Sequence, residues 1–469
     1  MIVLRPRLHD LVGSSASRTV AQLQEMGVEP TSRQVRVGVR LPSHSDLARR
    51  LLAESLIDFL LRLDPLVGEV VIDMPDRDLD PWLSDLATKL PFEQIEETNA
   101  PEYVVSVGDS LGVDLLVDGA GWLAAVGVAV PAGDDGNPIG PLAAATFAAA
   151  EVFKWAFGQT YADRAAALQL TPWAGAFSLF SYDFDSANPP LDEVVIDTTL
   201  IGLGGVGAGF VRAMVALGPR VSGALTLVDA DVLTTDNLNR VSYASVRAAV
   251  AGTRKVDEAA HVLSQHCPHL TVSSHPSTFE EYKQLTPRRQ DRAYDVIVTG
   301  LDNDDARWEV QRDLPRILID GATGRDMNTR IERVEFGRYG CLGCSRQATS
   351  VVAPTVGMNC DTPPDVRAPS LSFLSSFPGI LAAGEVIKEA SGSGQLRGGF
   401  DHIFRYGPNR DQKGMPAIRH DCPVACGQPS KIAQYRAKYP SQAFEPVKVV
   451  PNTRVGQPAR NPDSQQSAQ

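Results

Sequence analysis

Residues 197–231 read DTTLIGLGGVGAGFVRAMVALGPRVSGALTLVDAD. An apolar run ends in a string of glycines, a helix-type pattern follows, and a second apolar run ends on Asp229. That order is strand, tight turn, helix, strand, a βαβ unit with its two strands parallel. Glycine at Gly202, Gly204, Gly205 and Gly207 removes the Cβ atoms where backbone N–H groups at a positive helix end can meet a phosphate. Taken alone the string fits a dinucleotide fingerprint equally well, with Asp229 spaced to hold ribose hydroxyls.

Working outward, residues 35–76 repeat the strand, helix, strand order, but their turn reads RLPSHSD and has no glycine string. EYVVSVGDS around Asp109 parallels YDVIVTGLDN around Asp302, and PLAAATFAAAEVFK (141–154) parallels FPGILAAGEVIK (377–388). These echoes predict a duplicated α/β fold. Residues 1–190 form a degenerate copy without nucleotide, 191–430 the active copy, and 431–469 a largely disordered tail whose end is rich in Pro, Gly and Gln.

The length of 469 residues exceeds one ordinary core. A formal charge of −12 with no basic block argues against nucleic-acid binding, which rests on Lys and Arg neutralising phosphates. No window reaches about 18 uninterrupted apolar residues and the first residues lack a secretory apolar run, so no membrane association and a cytoplasmic location are expected. Five of the six cysteines lie after residue 340. In a reducing compartment, that clustering points to metal binding or catalysis rather than disulfides.

Downstream of the glycine string, DNLNR supplies Asn237 and Arg240, GTRKV supplies Lys255, and GLDNDD supplies Asp302 and Asn303. Two cations and an amide near such a turn suit a triphosphate whose charge must be held while its α-phosphorus is attacked. Asp302, at a strand end, offers the hard oxygen that Mg²⁺ prefers. Cys341 and Cys344 form a C-x2-C knuckle, and Cys422 and Cys426 a C-x3-C knuckle, four thiolates paired as a tetrahedral Zn²⁺ site uses them. Cys360 stands in a Gly/Pro/Asp-rich loop, whereas Cys267 near a helix end reads as structural, and His266 and His269 beside it offer only a weak metal reading.

GLGGVG, VDAD, NLNR, GTRKV and GLDNDDAR resemble the ThiF-type adenylation domain of ubiquitin-activating enzymes and of bacterial activators of sulfur-carrier proteins, over about residues 190–430. The resemblance implies two Rossmann-like ThiF-type domains in tandem, with ATP, Mg²⁺ and Zn²⁺ as cofactors. It also implies that Asp229 binds ribose, Arg240 and Lys255 bind phosphates, Asp302 binds magnesium, and the two knuckles hold zinc. By the same resemblance Cys360 is the thiolate that converts an acyl-adenylate into a thioester. An arginine from a neighbouring copy completes the phosphate site in this family, and Arg164 is one candidate.

The layout resembles the activating enzymes of bacterial ubiquitin-like conjugation operons, which implies antiviral defence. The expected partners are a ubiquitin-like protein with a C-terminal carboxylate tail and a conjugating-type enzyme, with the chain a monomer or homodimer. Three alternatives stand beside this reading. They are adenylation of a sulfur carrier or peptide for sulfur transfer or amidation, an NAD-dependent oxidoreductase, and an inactive binding scaffold.

Overall fold

The computed structural model describes residues 1–440 except 13–17, 30–33, 43–45, 75–78, 97–98, 110–111, 132–135, 183–189, 192, 286–295, 325–326, 337–338, 346–369, 392–399, 406–411, 415–417 and 419–421. Two eight-stranded sheets organise the chain. The first contains β1 (Ile2–Pro6), β2 (Val35–Arg40), β3 (Val67–Asp73), β4 (Phe92–Ile95), β5 (Tyr103–Val107), β6 (Leu115–Ala120), β7 (Leu123–Val126) and β8 (Gly175–Ser178), in the order β4-β1-β3-β2-β5-β6-β7-β8. The second contains β9 (Val194–Ile201), β10 (Val221–Val228), β11 (Leu270–His275), β12 (Val296–Thr299), β13 (Ile317–Gly324), β14 (Asn328–Glu335), β15 (Phe400–Arg405) and β16 (Gln412–Gly414), in the order β11-β10-β9-β12-β13-β14-β15-β16.

From β3 to β8 and from β10 to β15 the pairings run alike: three parallel neighbours, then two antiparallel ones. The outer edges differ, since β1 joins β3 antiparallel while β11 joins β10 parallel. Not every parallel strand is buried on both faces: β12 (VIVT) is buried throughout, whereas β9 begins with burial on alternate residues, leaving Val195 and Asp197 exposed. One further correspondence escaped the sequence reading. LVDGAG (116–121) on β6 and LIDGAT (318–323) on β13 place Asp118 and Asp320 at matching strand positions, both wholly buried.

The boundary expected near residue 190 separates the sheets but not their cores. One apolar cluster runs through both halves. The helices Ile139–Thr160 and Ser372–Ala390, apolar on nearly every face, meet at its centre, with ring centroids of Phe147 and Phe377 5.0 Å apart and those of Phe153 and Phe373 6.0 Å apart. Polar groups bridge the same seam. Tyr182 donates to Glu385 Oε1 at 2.8 Å, and the Lys388 ammonium, bonded to Glu385 at 2.5 Å, lies 4.4 Å from the Tyr182 ring centre.

The tail starts later than expected. Pro429–Lys438 is a helix that docks Tyr435 in a second, smaller apolar core, which also holds Phe336 and the four knuckle cysteines, with its hydroxyl on the Arg316 carbonyl at 2.8 Å and Lys438 on that of Asp313 at 2.8 Å. Residues 441–469 lie outside the described residues. Among the described residues no helix is long and apolar enough to cross a membrane.

Candidate functional site

The glycine string turns β9 into the helix Gly205–Leu217, and each glycine answers a different constraint. Gly202 has φ +90°, and a Cβ there would lie 2.8 Å from the Gly300 carbonyl oxygen. A Cβ on Gly207 would fall 2.3 Å from the Gly202 oxygen, and one on Gly205 2.5 Å from Ser375 Oγ, so these positions serve the turn and the contact with Ser372–Ala390. Gly204 differs. It is the N-cap without a side-chain bond, and a Cβ on it would meet no atom of the described residues within 4 Å. Packing therefore does not require glycine at this position. The room lies where the helix's unpaired first N–H groups and positive dipole end suit a phosphate.

The turn is pinned from both sides of Leu203. Its N–H donates to Asp229 Oδ2 at 2.6 Å, and its carbonyl accepts the Tyr243 hydroxyl at 2.7 Å. Asp229 also accepts the Asp231 N–H at 2.8 Å, so it shapes the site whatever it binds. Burial raises its pKa, opposed by the Lys255 ammonium 3.9 Å away. Lys255, itself buried, opens the helix Lys255–His266 and donates to Asp231 at 2.6 Å. Burial and the nearby Asp229 hold the Tyr243 phenol well above its ordinary pKa, so it remains a donor. Sequence reasoning missed Tyr243, since a lone tyrosine in a helix approach carries no spacing signal.

Arg240 follows the short 3-10 turn Thr235–Asn239 and bonds the Asp236 carbonyl at 3.1 Å and Asn239 Oδ1 at 3.2 Å. Its Cδ lies 3.6 Å from where a Cβ on Gly205 would stand, so its stem borders the glycine turn. Asn237 closes the capping box of the 3-10 turn, its Oδ1 accepting the Thr234 N–H at 3.1 Å. Its amide oxygen thus shapes the segment that carries Arg240.

Asp302 is exposed just past β12, two residues beyond Gly300, whose N–H bonds the Ile201 carbonyl at 2.9 Å. Asn303 donates to Asp302 Oδ1 at 3.2 Å and caps the helix Asp304–Arg312 by accepting the Ala306 N–H at 2.8 Å. Beneath them Asp320 accepts from Thr299 Oγ1 at 2.6 Å and Arg307 Nε at 3.1 Å, while Arg307 also holds the Leu301 carbonyl. Buried charge is thereby spent on fixing the loop that presents Asp302.

The four knuckle cysteines converge. All their sulfurs lie within 4.8 Å of one another, with Cys341 to Cys422 at 3.4 Å and Cys344 to Cys426 at 3.3 Å. Tetrahedral Zn²⁺ with Zn–S of about 2.3 Å sets sulfurs about 3.8 Å apart, so four buried thiols at this spacing fit the ion in number, donor type and size. Among the described residues this is the one such group, and His266 and His269 join none. Cys267 is buried against the Met214 carbonyl at 3.2 Å, and burial pushes its thiol up to about 11, as suits a structural residue.

Cys360 lies outside the described residues. The chain leaves the first cysteine knuckle at Ser345 and is described again at Ser370, whose carbonyl accepts Asn239 Nδ2 at 3.1 Å. Arg164 is not brought to the glycine turn. Its Nε donates to the Met26 carbonyl at 2.6 Å, beyond the helix Arg18–Glu25.

No curated protein sequence matches the chain. Among solved structures, E. coli MccB with AMPCPP and selenomethionine MccA is similar at 17% identity and TM-score 0.38, covering 49% of this chain and 66% of that one. E. coli MccB with ATP is similar at 15% identity and TM-score 0.39, covering 67% and 98%. Selenomethionine PaaA is similar at 16% identity and TM-score 0.32, covering 48% and 65%. The family comparison matches the second half, from within β9 to just short of the last two knuckle cysteines. Residues 196–420 of this chain match the model of the ThiF family.

Proposed function

We propose that the chain uses Mg·ATP to adenylate the C-terminal carboxylate of a ubiquitin-like protein and then takes the acyl group onto Cys360 as a thioester for a conjugating-type enzyme. The observation that carries this reading is the space at Gly204 that no described residue fills, with Arg240 bordering the turn, Lys255 beside Asp229, and Asp302 on the adjoining strand end. In this reading the helix N-terminus, Arg240 and Lys255 hold the triphosphate, Asp229 the ribose, and Asp302 and Asn303 the magnesium side. Asn237 acts by holding the turn before Arg240.

A carboxylate oxygen attacks the α-phosphorus, the α–β bridging bond breaks, and pyrophosphate leaves with its electron pair. The Cys360 thiolate then attacks the acyl carbon and AMP departs. Positioning and charge stabilisation supply most of the rate. Zinc in the four-cysteine site would brace the second core and takes no part in these steps.

The first half is, in this proposal, a degenerate copy. Where the second half leaves room, the first is filled: Asp46 caps the helix Leu47–Leu61, and Arg49 pairs with Asp118 at 2.9 and 3.0 Å. The shared strand order and the two DGA segments support common descent of the halves.

The test is mass spectrometry of the intact chain after incubation with Mg·ATP and candidate small proteins ending in glycine, without reductant. A reductant-labile adduct in wild type, lost in Cys360→Ala and in Asp302→Ala, is expected. An adduct that persists in Cys360→Ala moves the nucleophile elsewhere. AMP-linked partner without adduct favours sulfur transfer or amidation, and hydride transfer with NAD refutes adenylation.

A further inference from the structure

The last turn of the helix Leu47–Leu61 belongs to the first half, yet it touches three elements of the second. Arg62, the C-cap residue, donates through Nη1 to the Leu238 carbonyl, two residues before Arg240. Asp58, one turn earlier, accepts Arg62 Nε at 3.0 Å and also the Nη2 of Arg212, which lies on the helix opened by the glycine turn. The Arg212 guanidinium sits 4.7 Å over the Phe59 ring, and the Phe59 carbonyl accepts Ser372 Oγ at 3.5 Å. Asp58 and Arg62 are 5% and 1% exposed. Burying charges is costly, so the cluster needs a return beyond stability, and fixing the register of packed elements is the best attested one. Burial lowers Arg62 to about 9 and Arg212 to about 10, so both stay cationic at neutral pH and share the one carboxylate.

We propose that Asp58, Arg62 and Arg212 are positioning residues by which the first half sets the Arg240 turn against the glycine-turn helix, and so sets the grip on the outer phosphates of ATP. This rests on the adenylation reading of the site. Through Arg62 the carboxylate fixes the segment Thr235–Asn239, and through Arg212 it fixes Gly205–Leu217. Both elements thus take their spacing from one residue outside the ThiF-family stretch. None of the three is assigned contact with nucleotide.

Calorimetric titration of the full chain with Mg·ATP and, separately, AMP tests this in wild type, Arg62→Gln, Arg62→Lys and Arg212→Gln. Arg62→Gln should raise the Kd for ATP on the order of tenfold while leaving that for AMP within about twofold, with Arg62→Lys in between. A merely structural role would lower the melting temperature and leave the ATP-to-AMP ratio unchanged, and that result overturns the proposal. Should Arg62→Gln not fold, an unchanged ratio in both Arg62→Lys and Arg212→Gln overturns it equally. Wild type that binds AMP and ATP normally beside unaltered variants sinks the positioning role alone, whereas wild type that binds neither sinks the adenylation reading with it.

Discussion

The turns that follow β2 and β9 occupy the same place in two sheets of like order and are finished in opposite ways. After β2 the Asp46 side chain accepts the Arg49 N–H at 2.8 Å, and the Arg49 guanidinium spans to the buried Asp118. After β9 there is bare glycine, and Gly204 has no described neighbour to meet a side chain. One architecture thus carries a turn completed by its own ion pair and a turn that no other described residue completes. The difference teaches where to look for a ligand: not at the tightest glycines, which packing explains, but at the one that packing does not need.

The largest contrast to break is the four-cysteine cluster, which has no counterpart among the described residues of the first half. On the zinc reading of this cluster, chelator treatment or Cys344→Ser should cost on the order of 10 kcal/mol at the site and unfold the second core first, read as a separate early transition in calorimetry. Next, Asp118→Ala leaves Arg49 without its buried partner and should cost about 3–5 kcal/mol in urea unfolding, whereas an Arg49→Met, Asp118→Leu double variant should recover most of it.

A smaller effect concerns the matching EVFK and EVIK pairs. Burial lowers Lys388 and Lys154 below their ordinary value of 10.5, despite Glu385 and Glu151. The folded state therefore binds fewer protons than the unfolded one between the lowered value and 10.5, and stability rises with pH across that interval by at most about 1.4 kcal/mol per unit for each lysine. Lys388→Met should flatten this rise below pH 10.5 in urea midpoints, and an unchanged slope would contradict the assignment. Smallest is the cap: Asp46→Ala should cost about 1 kcal/mol and leave ATP binding intact.

What was legible follows from locality. Gly202 to Gly207, the strand ends at Asp229 and Asp302, and both cysteine pairs announce themselves within a few residues. The pairing of Arg49 with Asp118 joins positions 69 residues apart, and Arg62 reaches Leu238 across 176, so neither leaves a spacing to read. The DGA repeat was visible but short, and its meaning depends on β6 and β13 holding the same rank in their sheets. The helix Pro429–Lys438 was read as tail because its surface is polar and Tyr435 alone of its residues is fully buried. Length and the internal echoes predicted one core per half, but the alanine- and phenylalanine-rich helices Ile139–Thr160 and Ser372–Ala390 cover each other's faces, so the main core spans both halves and the smaller one gathers around the knuckle cysteines.

The central claim is that this pair of turns holds one nucleotide site, not two or none. Equilibrium titration of the full chain with Mg·ATP, for wild type, Gly204→Val and Asp118→Asn, reads it directly. The account predicts one ATP per chain in wild type and in Asp118→Asn, and loss of binding in a Gly204→Val chain that remains folded, because a side chain there fills the space and crowds the helix's first N–H groups. Undiminished binding in Gly204→Val, or two equivalents per chain in wild type, would contradict it.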